Sequence, residues 1–363
     1  MKIEKLLRKE VLEVPVYEAE YRTSAIKDED LVKLDLNENF VIKADFVKNL
    51  LASTCKEIDP RFYPPPRSIL AIKAISKFYE FDEKMVISSN GSDELLDLIA
   101  KAFVKRGTKA LIAEPTFPFY TFFVKLYGGK KIEVLLKPNF ELNVEKILEM
   151  QKGVSLLIFC SPNNPTGKQF NEESVKVLLE EFKGLVVIDE AYVDFAKYSV
   201  LKWTREFDNL IVLRSFSKAF GLAGIRAGFA VSNPSIIESL KRITLPFNMN
   251  TITQKMVTLV LENWKFFNEQ INQTIKEREW LFKRLKEIDG VTPFPSDANF
   301  ILFKITKKGL NSSTVKEKLR ERKVLVKDRG MLPLLDNCIR VSVGTHKMNE
   351  TFIQKLKEVL EEN

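Results

Sequence analysis

Between residues 84 and 231 the chain alternates short apolar runs with amphipathic stretches, and this alternation limits the folds open to it. Strands are expected at 85–88, 110–113, 131–135, 155–160, 185–189, 210–214 and 227–231. Several are continuous Val/Ile/Leu/Phe runs, the pattern of strands covered on both faces. Amphipathic segments such as 93–105 and 172–182 separate them. Strand and helix in alternation predict an α/β fold, a seven-stranded, mostly parallel, doubly wound sheet flanked by helices. After Pro246 the pattern changes. Residues 251–287 read as long helix broken once, followed by a strand (299–304), a helix (313–322), strands at 324–327 and 338–343, and a last helix (349–362). A chain of 363 residues is too long for one small core. The expected organisation is a 1–40 segment packing on the small domain or a partner subunit, a large domain over 41–250 and a small α+β domain over 251–363.

Composition narrows the chemistry. Fifty-seven Lys and Arg against 49 Asp and Glu give a net charge of +8, but the two signs are interleaved. No basic block of the kind that grips nucleic acid appears, so the excess reads as a solvated lysine-rich surface whose field draws in anionic substrates. No apolar run approaches the ~20 residues of a membrane span. The N-terminus, Met1-Lys-Ile-Glu-Lys-Leu-Leu-Arg-Lys-Glu10, is too charged for a signal peptide. A cytoplasmic protein with no nucleic-acid or membrane partner is expected. The single histidine, His346, leaves almost no room for a Ser-His-Asp triad or a His-rich metal site. Acid–base work therefore falls to Lys, Tyr, Asp or Glu, and no metal is expected. Cys55, Cys160 and Cys338 have neither zinc nor redox spacing and read as small buried hydrophobes.

Chemistry-bearing residues cluster where strands end. Lys218 lies in Ser215-Phe216-Ser217-Lys218, just past an apolar run, with Arg226 eight residues on. Ser215, Ser217 and Arg226 together suit a phosphate dianion, through hydroxyl donors and a guanidinium fork. A lysine beside that phosphate can form a Schiff base with an aldehyde on the same molecule. Asp189 ends a buried strand, and a buried carboxylate needs a cation or strong donor; a protonated pyridine nitrogen suits it, and so does capping of the next segment. Tyr192, three residues on, and Asn164, in Ser161-Pro-Asn-Asn-Pro-Thr-Gly167, can reach a phenolate oxygen on the same ring; the Asn/Pro/Gly turn is also ordinary loop chemistry. Gly91, Ser92 and Asp93 join a strand to a helix, whose N-terminal amides favour phosphate, although Ser92 as a plain cap explains the residues equally well. Phe117 can stack on a flat cofactor or be one more core ring among 27 phenylalanines.

In this order the motifs Asn90-Gly-Ser-Asp-Glu94, Pro115-Thr-Phe117, Ser161-Pro-Asn-Asn-Pro-Thr-Gly167, Asp189-Glu-Ala-Tyr192 and Ser215-Phe-Ser-Lys218 through Arg226 resemble the class I/II aminotransferases, pyridoxal-phosphate enzymes of fold type I. Within them the layout is most similar to the histidinol-phosphate aminotransferases, through Leu36-Asn-Glu-Asn39, Phe62-Tyr-Pro64, Ala298-Asn-Phe300 and Cys338-Ile-Arg-Val-Ser-Val-Gly-Thr345. The resemblance covers about residues 10 to 360.

It implies pyridoxal 5'-phosphate as cofactor, with Lys218 as the aldehyde-binding lysine, Asp189 on the pyridine nitrogen and Asn164 and Tyr192 on the ring O3'. It further implies Phe117 stacked on the ring, and Gly91, Ser92, Asp93, Ser215, Ser217 and Arg226 around the phosphate. Tyr63 would reach that phosphate from a neighbouring subunit, which implies a homodimer with shared active sites. Arg340 would anchor the anionic end of the substrate, a role that the residues alone do not require, since an exposed strand arginine fits the spacing as well. Tyr17 would line the pocket. Two positions depart from the pattern. Phe117 stands where tyrosine is usual, and Lys327 where arginine is common, with Arg329 two residues on as its expected substitute. The implied reaction is transamination between histidinol phosphate and 2-oxoglutarate, giving imidazole acetol phosphate and glutamate in histidine biosynthesis. The alternatives are a threonine-phosphate decarboxylase or an aromatic or broad aminotransferase on the same fold and, more remotely, a non-catalytic regulator.

Overall fold

The computed structural model describes residues 3–16 and 30–362. A short strand, β1 (Val32–Lys33), comes first. Seven strands then form one sheet: β2 (Val86–Ser89), β3 (Lys109–Glu114), β4 (Lys130–Leu135), β5 (Leu156–Cys160), β6 (Leu185–Asp189), β7 (Leu210–Ser215) and β8 (Gly228–Ser232). Their spatial order is β2-β8-β7-β6-β5-β3-β4, and only β8 runs antiparallel to its neighbours. All seven expected strands are present, with no end moved by more than one residue. Every residue of β5, β7 and β8 is buried, which explains why these runs are apolar throughout rather than alternating.

Helices cover both faces. Their ends carry chemistry that can be read from the residues: Asn171 accepts from the Ser174 amide and Glu172 and Glu173 fill the first turn of Glu172–Glu181. Asn250 likewise caps Thr251–Glu262 through the Thr253 amide. The break in the long helical pattern falls at Asn263, after which Trp264–Lys286 begins. The two sheet faces bury separate cores. Val186, Ile188 and Val212 face one, and Val187, Ile211 and Leu213 face the other.

The C-terminal part forms a second sheet from β9 (Val291–Pro293), β10 (Phe300–Ile305), β12 (Lys327–Asp328) and β13 (Cys338–Ser342), in the order β12-β13-β10-β9 and antiparallel throughout. β9 was not visible in the sequence. The run expected as one strand at 324–327 divides into β11 (Val324–Leu325) and β12, which belong to different sheets. β11 pairs in parallel with β1, and the amide of Ser342 donates to the carbonyl of Leu34 at 2.9 Å. Residues 32–34 are thereby bonded to the C-terminal sheet. Past residue 250 the chain still packs on the large sheet: Met256, Val257 and Val260 belong to one of its two cores, as do Phe267 and Ile271, while Leu281 and Leu285 belong to a third core, with Ile301, Phe303 and Ile339 of the C-terminal sheet. The helix Trp264–Lys286 thus spans a core of each sheet. Cys160 and Cys338 are buried, whereas Cys55 is exposed on the helix Ala44–Glu57.

Behind the carboxyl ends of β6 and β7 lies a buried ion cluster. Arg214, 4 % exposed, donates to Asp194 Oδ1 at 2.5 Å and to Glu190 Oε2 at 3.4 Å, and its guanidinium lies 5.4 Å from the centroid of the Tyr79 ring. Glu190 also accepts from the Ser199 hydroxyl and the Val200 amide. Removing one member of a buried ion cluster strands the others, so Arg214→Met should cost about 3–5 kcal/mol in a urea-unfolding measurement. A loss below about 1 kcal/mol would mean that the carboxylates find other partners.

Candidate active site

Parallel pairing brings the strand ends together. Cys160 of β5 lies opposite Asp189 of β6, and Asp189 opposite Leu213 of β7. The loops leaving these strands therefore meet along one edge of the sheet, the usual place for a ligand in such folds. There they enclose a cavity of about 400 Å³. Lys218, Asp189, Tyr192, Asn164 and Phe117 all line it. So do Ser92, Asp93, Ser215, Ser217 and Arg226, and so do Arg340, Lys327 and Arg329.

Asp189, 4 % exposed, caps its own turn as well as facing the cavity: Oδ1 accepts from the Ala191 amide at 2.9 Å. Oδ2 accepts from the Tyr120 hydroxyl at 2.8 Å. Burial pushes its carboxyl up to about 6, against the pull of these two donors. Lys218 projects from the loop after β7, and its amine donates to the Leu36 carbonyl at 3.0 Å. Burial, helped by the nearby Arg340 guanidinium, pushes that amine down to about 8. A lysine so shifted carries far more neutral, nucleophilic amine near neutrality than a solvated one. Its nitrogen lies 5.9 Å from the centroid of the Tyr192 ring. The Tyr192 hydroxyl accepts from Asn37 Nδ2 at 3.1 Å, so its own proton is left to donate elsewhere.

At the other end of the cavity the helix Ser92–Phe103 begins. Gly91 precedes it at φ +89°, a conformation that L side chains rarely adopt, and a Cβ there would lie 2.5 Å from Arg226 Nη2. Arg226 donates to Ser217 Oγ at 3.4 Å and to Asp93 Oδ2 at 3.2 Å. The Ser215 hydroxyl accepts from the Ser217 amide at 3.1 Å. A helix start, a guanidinium and two hydroxyls thus face one end of the cavity, a buried carboxylate lies deeper, and a half-buried amine lies on the wall. This donor set fits pyridoxal 5'-phosphate: cations and amides for the phosphate, an acid for the ring nitrogen and an amine for the aldehyde.

Arg340, in the middle of β13, is 3 % exposed, which rules out an exposed strand arginine. It donates to Asn164 Oδ1 at 2.7 Å and to the Asp35 carbonyl, and its guanidinium lies 5.4 Å from the Phe300 ring centroid. Asn164 therefore already has a partner across the cavity, and it lies next to two cis peptide bonds, Ser161–Pro162 and Asn164–Pro165. Phe117 packs edge-on against Tyr120 at 5.6 Å as well as lining the cavity. Tyr63 is not among the lining residues; it is 81 % exposed and stacks on Phe247 at 4.7 Å. Tyr17 lies outside the described residues. Among the described residues no group of three or more His, Cys, Asp or Glu side chains is arranged to hold a metal, and no helix is long and apolar enough to cross a membrane.

Sequence reading missed Tyr120 and Asn37. Tyr120 follows Phe117 by three residues, across the turn that opens the helix Phe119–Leu126, so it lies close to a residue already singled out. Asn37 sits in the Leu36-Asn-Glu-Asn39 motif, where only the layout had been used. It takes φ +55°, which asparagine tolerates better than most residues, and its main chain and side chain meet Ser342 and Asn299.

The sequence profile described as "Aminotransferase class I and II" matches residues 32–356. A protein named histidinol-phosphate aminotransferase from Caldanaerobacter subterraneus subsp. tengcongensis is 34 % identical over 99 % of each chain. The crystal structure of histidinol-phosphate aminotransferase from Sinorhizobium meliloti, in complex with pyridoxal-5'-phosphate, superposes with a TM-score of 0.87 at 22 % identity, covering 98 % of each chain. That of L-threonine-O-3-phosphate decarboxylase from Porphyromonas gingivalis gives 0.80 at 23 %, covering 91 % of this chain and 100 % of that one. At such identities these likenesses concern the fold, and the fold alone does not separate the two reactions.

The Gly91 backbone makes a measurable demand. Alanine there adds strain of about 1–3 kcal/mol, so Gly91→Ala should weaken pyridoxal 5'-phosphate binding about tenfold or more in an absorbance titration. Unchanged affinity would show that the turn relaxes without cost.

Proposed function

Because the chain belongs to the class I and II aminotransferase family, whose members use pyridoxal phosphate, we propose that it moves the amino group of histidinol phosphate to 2-oxoglutarate, giving imidazole acetol phosphate and glutamate. The observation that carries this reading is the meeting of Lys218, Asp189 and Arg340 in one cavity. An amine of lowered basicity, a buried acid and a buried guanidinium are what a cofactor aldehyde, its ring nitrogen and an anionic substrate require in turn.

Pyridoxal phosphate, when bound, supplies an electron sink for charge developing at the substrate's Cα. Lys218 would hold the aldehyde, and its amine is the group placed to take up and give back the proton of the substrate's Cα. Its shift to about 8 suits this exchange, because the amine is poised between its two protonation states. Asp189 would keep the ring nitrogen protonated. Tyr192 and Asn164 would bind the ring oxygen, and Phe117 would cover a ring face. The amides around Ser92 and Asp93, with Ser215, Ser217 and Arg226, would hold the phosphate. Arg340 holds the anionic end of the substrate, with Lys327 and Arg329 as further cations on the same wall.

Tyr63 supports a homodimeric assembly. Phe62, Tyr63, Leu245 and Phe247 are exposed on the single chain, with Tyr63 stacked on Phe247, and we read these apolar side chains as part of the face that meets a second copy, carrying Tyr63 towards that copy's phosphate site. Tyr17 is read as a pocket residue on the resemblance alone. The cytoplasm is the proposed location.

The deciding experiment adds histidinol phosphate to the yellow holoenzyme and follows conversion to the pyridoxamine form, with reversal by 2-oxoglutarate. Release of CO2 from threonine phosphate without amine exchange would reassign the reaction. Lys218→Ala should remove turnover entirely while far-UV circular dichroism stays unchanged; residual turnover without added amine would take Lys218 out of the role. Arg340→Gln should lower kcat/KM about thirtyfold or more, since losing a buried charged partner costs about 2 kcal/mol or more.

A further inference from the structure

We propose that Tyr120 is a positioning residue for cofactor capture, whose phenol turns Asp189 towards the ring nitrogen and keeps it ionised; the inference rests on the reading of Asp189 given above. The geometry leaves Asp189 few partners. It sits at the end of β6, 4 % exposed, and no ion pair joins it among the described residues. A carboxylate can accept about four hydrogen bonds. Here one comes from the Ala191 amide at 2.9 Å and one from Tyr120 at 2.8 Å. The first is fixed by the turn itself. The second is the side-chain donor, and it sets which way Oδ2 faces.

Tyr120 is held in place to donate to Asp189, and its hydroxyl also meets the Cys160 side chain. It is 1 % exposed, in the first turn of the helix Phe119–Leu126, with Phe117 packed edge-on at 5.6 Å. Burial drives its phenol well above the ordinary range, so it remains a donor at any working pH. The other charged or titratable groups facing Asp189 do not replace it. Asp93 raises the carboxyl, and Lys218 lowers it from a distance. The Cys160 thiol and the Tyr192 phenol are both pushed up by burial and are neutral near pH 7. Glu190 turns to the opposite face of the sheet, onto Arg214.

The direction of the effect follows. Burial raises the Asp189 carboxyl to about 6, and Tyr120 pulls it down. Without the hydroxyl the carboxyl titrates at higher pH. The protonated ring nitrogen requires the carboxylate form, so capture weakens on the acid side and recovers once Asp189 ionises.

Pyridoxal 5'-phosphate is titrated into the full-length apoprotein by absorbance between pH about 5 and 9, for the wild type, Tyr120→Phe, Tyr120→His and Asp189→Asn. A shift of one pH unit makes Tyr120→Phe bind about tenfold more weakly than wild type near pH 5 but within about threefold near pH 8.5. Tyr120→His, which keeps a ring N–H donor, should recover part of the acid-side loss. Circular dichroism checks that each variant is folded. A loss in Tyr120→Phe that is equal at every pH would mark the tyrosine as structural and overturn the proposal. Unchanged binding in Tyr120→Phe alongside weakened binding in Asp189→Asn would overturn it while leaving Asp189 in its role. A wild type that captures no pyridoxal phosphate at any pH would remove the functional reading itself, and this inference with it.

Discussion

Arg214 lies between Glu190 and Asp194 on the hidden face of the large sheet, and the geometry of the cavity depends on that contact. Glu190 directly follows Asp189, and Arg214 directly precedes Ser215. Neighbouring residues on a strand point to opposite faces. The same backbone atoms that hold Asp189 and Ser215 towards the cavity therefore hold Glu190 and Arg214 away from it. The ion cluster fastens β6 to β7 from behind, at the point where both strands give way to loops. Desolvation removes much of the net stabilisation such a cluster might bring, so its contribution is better understood as fixing one arrangement of two loops.

On the cavity side, two desolvated groups have moved towards each other in acidity. The Asp189 carboxyl is held near 6 and the Lys218 amine near 8. Burial causes both shifts, since it disfavours whichever form is charged. Each group is then a poorer ion alone and a better partner for the complementary part of a ligand. Backbone carbonyls of Leu36 and Asp35 occupy the Lys218 amine and the Arg340 guanidinium meanwhile. The segment that supplies them is bonded through Leu34 and β1 to the C-terminal sheet. Both sheets thus contribute to the charge balance of one cavity.

Much of this was legible in the residues. Buried strands are apolar along their whole length, so β5, β6 and β7 stand out, and whatever polar residue follows them is conspicuous. That is how Asp189, Ser215 and Lys218 were found. Arg340 was harder, because β13 is covered on both faces although its antiparallel sheet could have left one face to solvent; its burial comes from packing beside Phe300 and Asn164, far away in sequence. Tyr120 and Asn37 were missed for the same reason. Each reaches the site through a hydrogen bond to a residue 69 or 155 positions away, and local spacing holds no record of such a bond. The strand β9 is only three residues long, too short for any period to show. The split between β11 and β12 depends on which neighbours are available for pairing, and that is settled only when the two sheets are assembled.

Gly91 has a counterpart in Gly228, opposite Ser89 in the β2–β8 pairing. A Cβ on Gly228 would lie 2.6 Å from both the Gly91 carbonyl carbon and the Ser92 nitrogen. Main chain rests on main chain there, with no side chain able to swing aside. The floor of the phosphate end is thus set by the closeness of two backbones: a methyl group at position 228 would push the start of the helix Ser92–Phe103 outward and carry its amides away from the cavity.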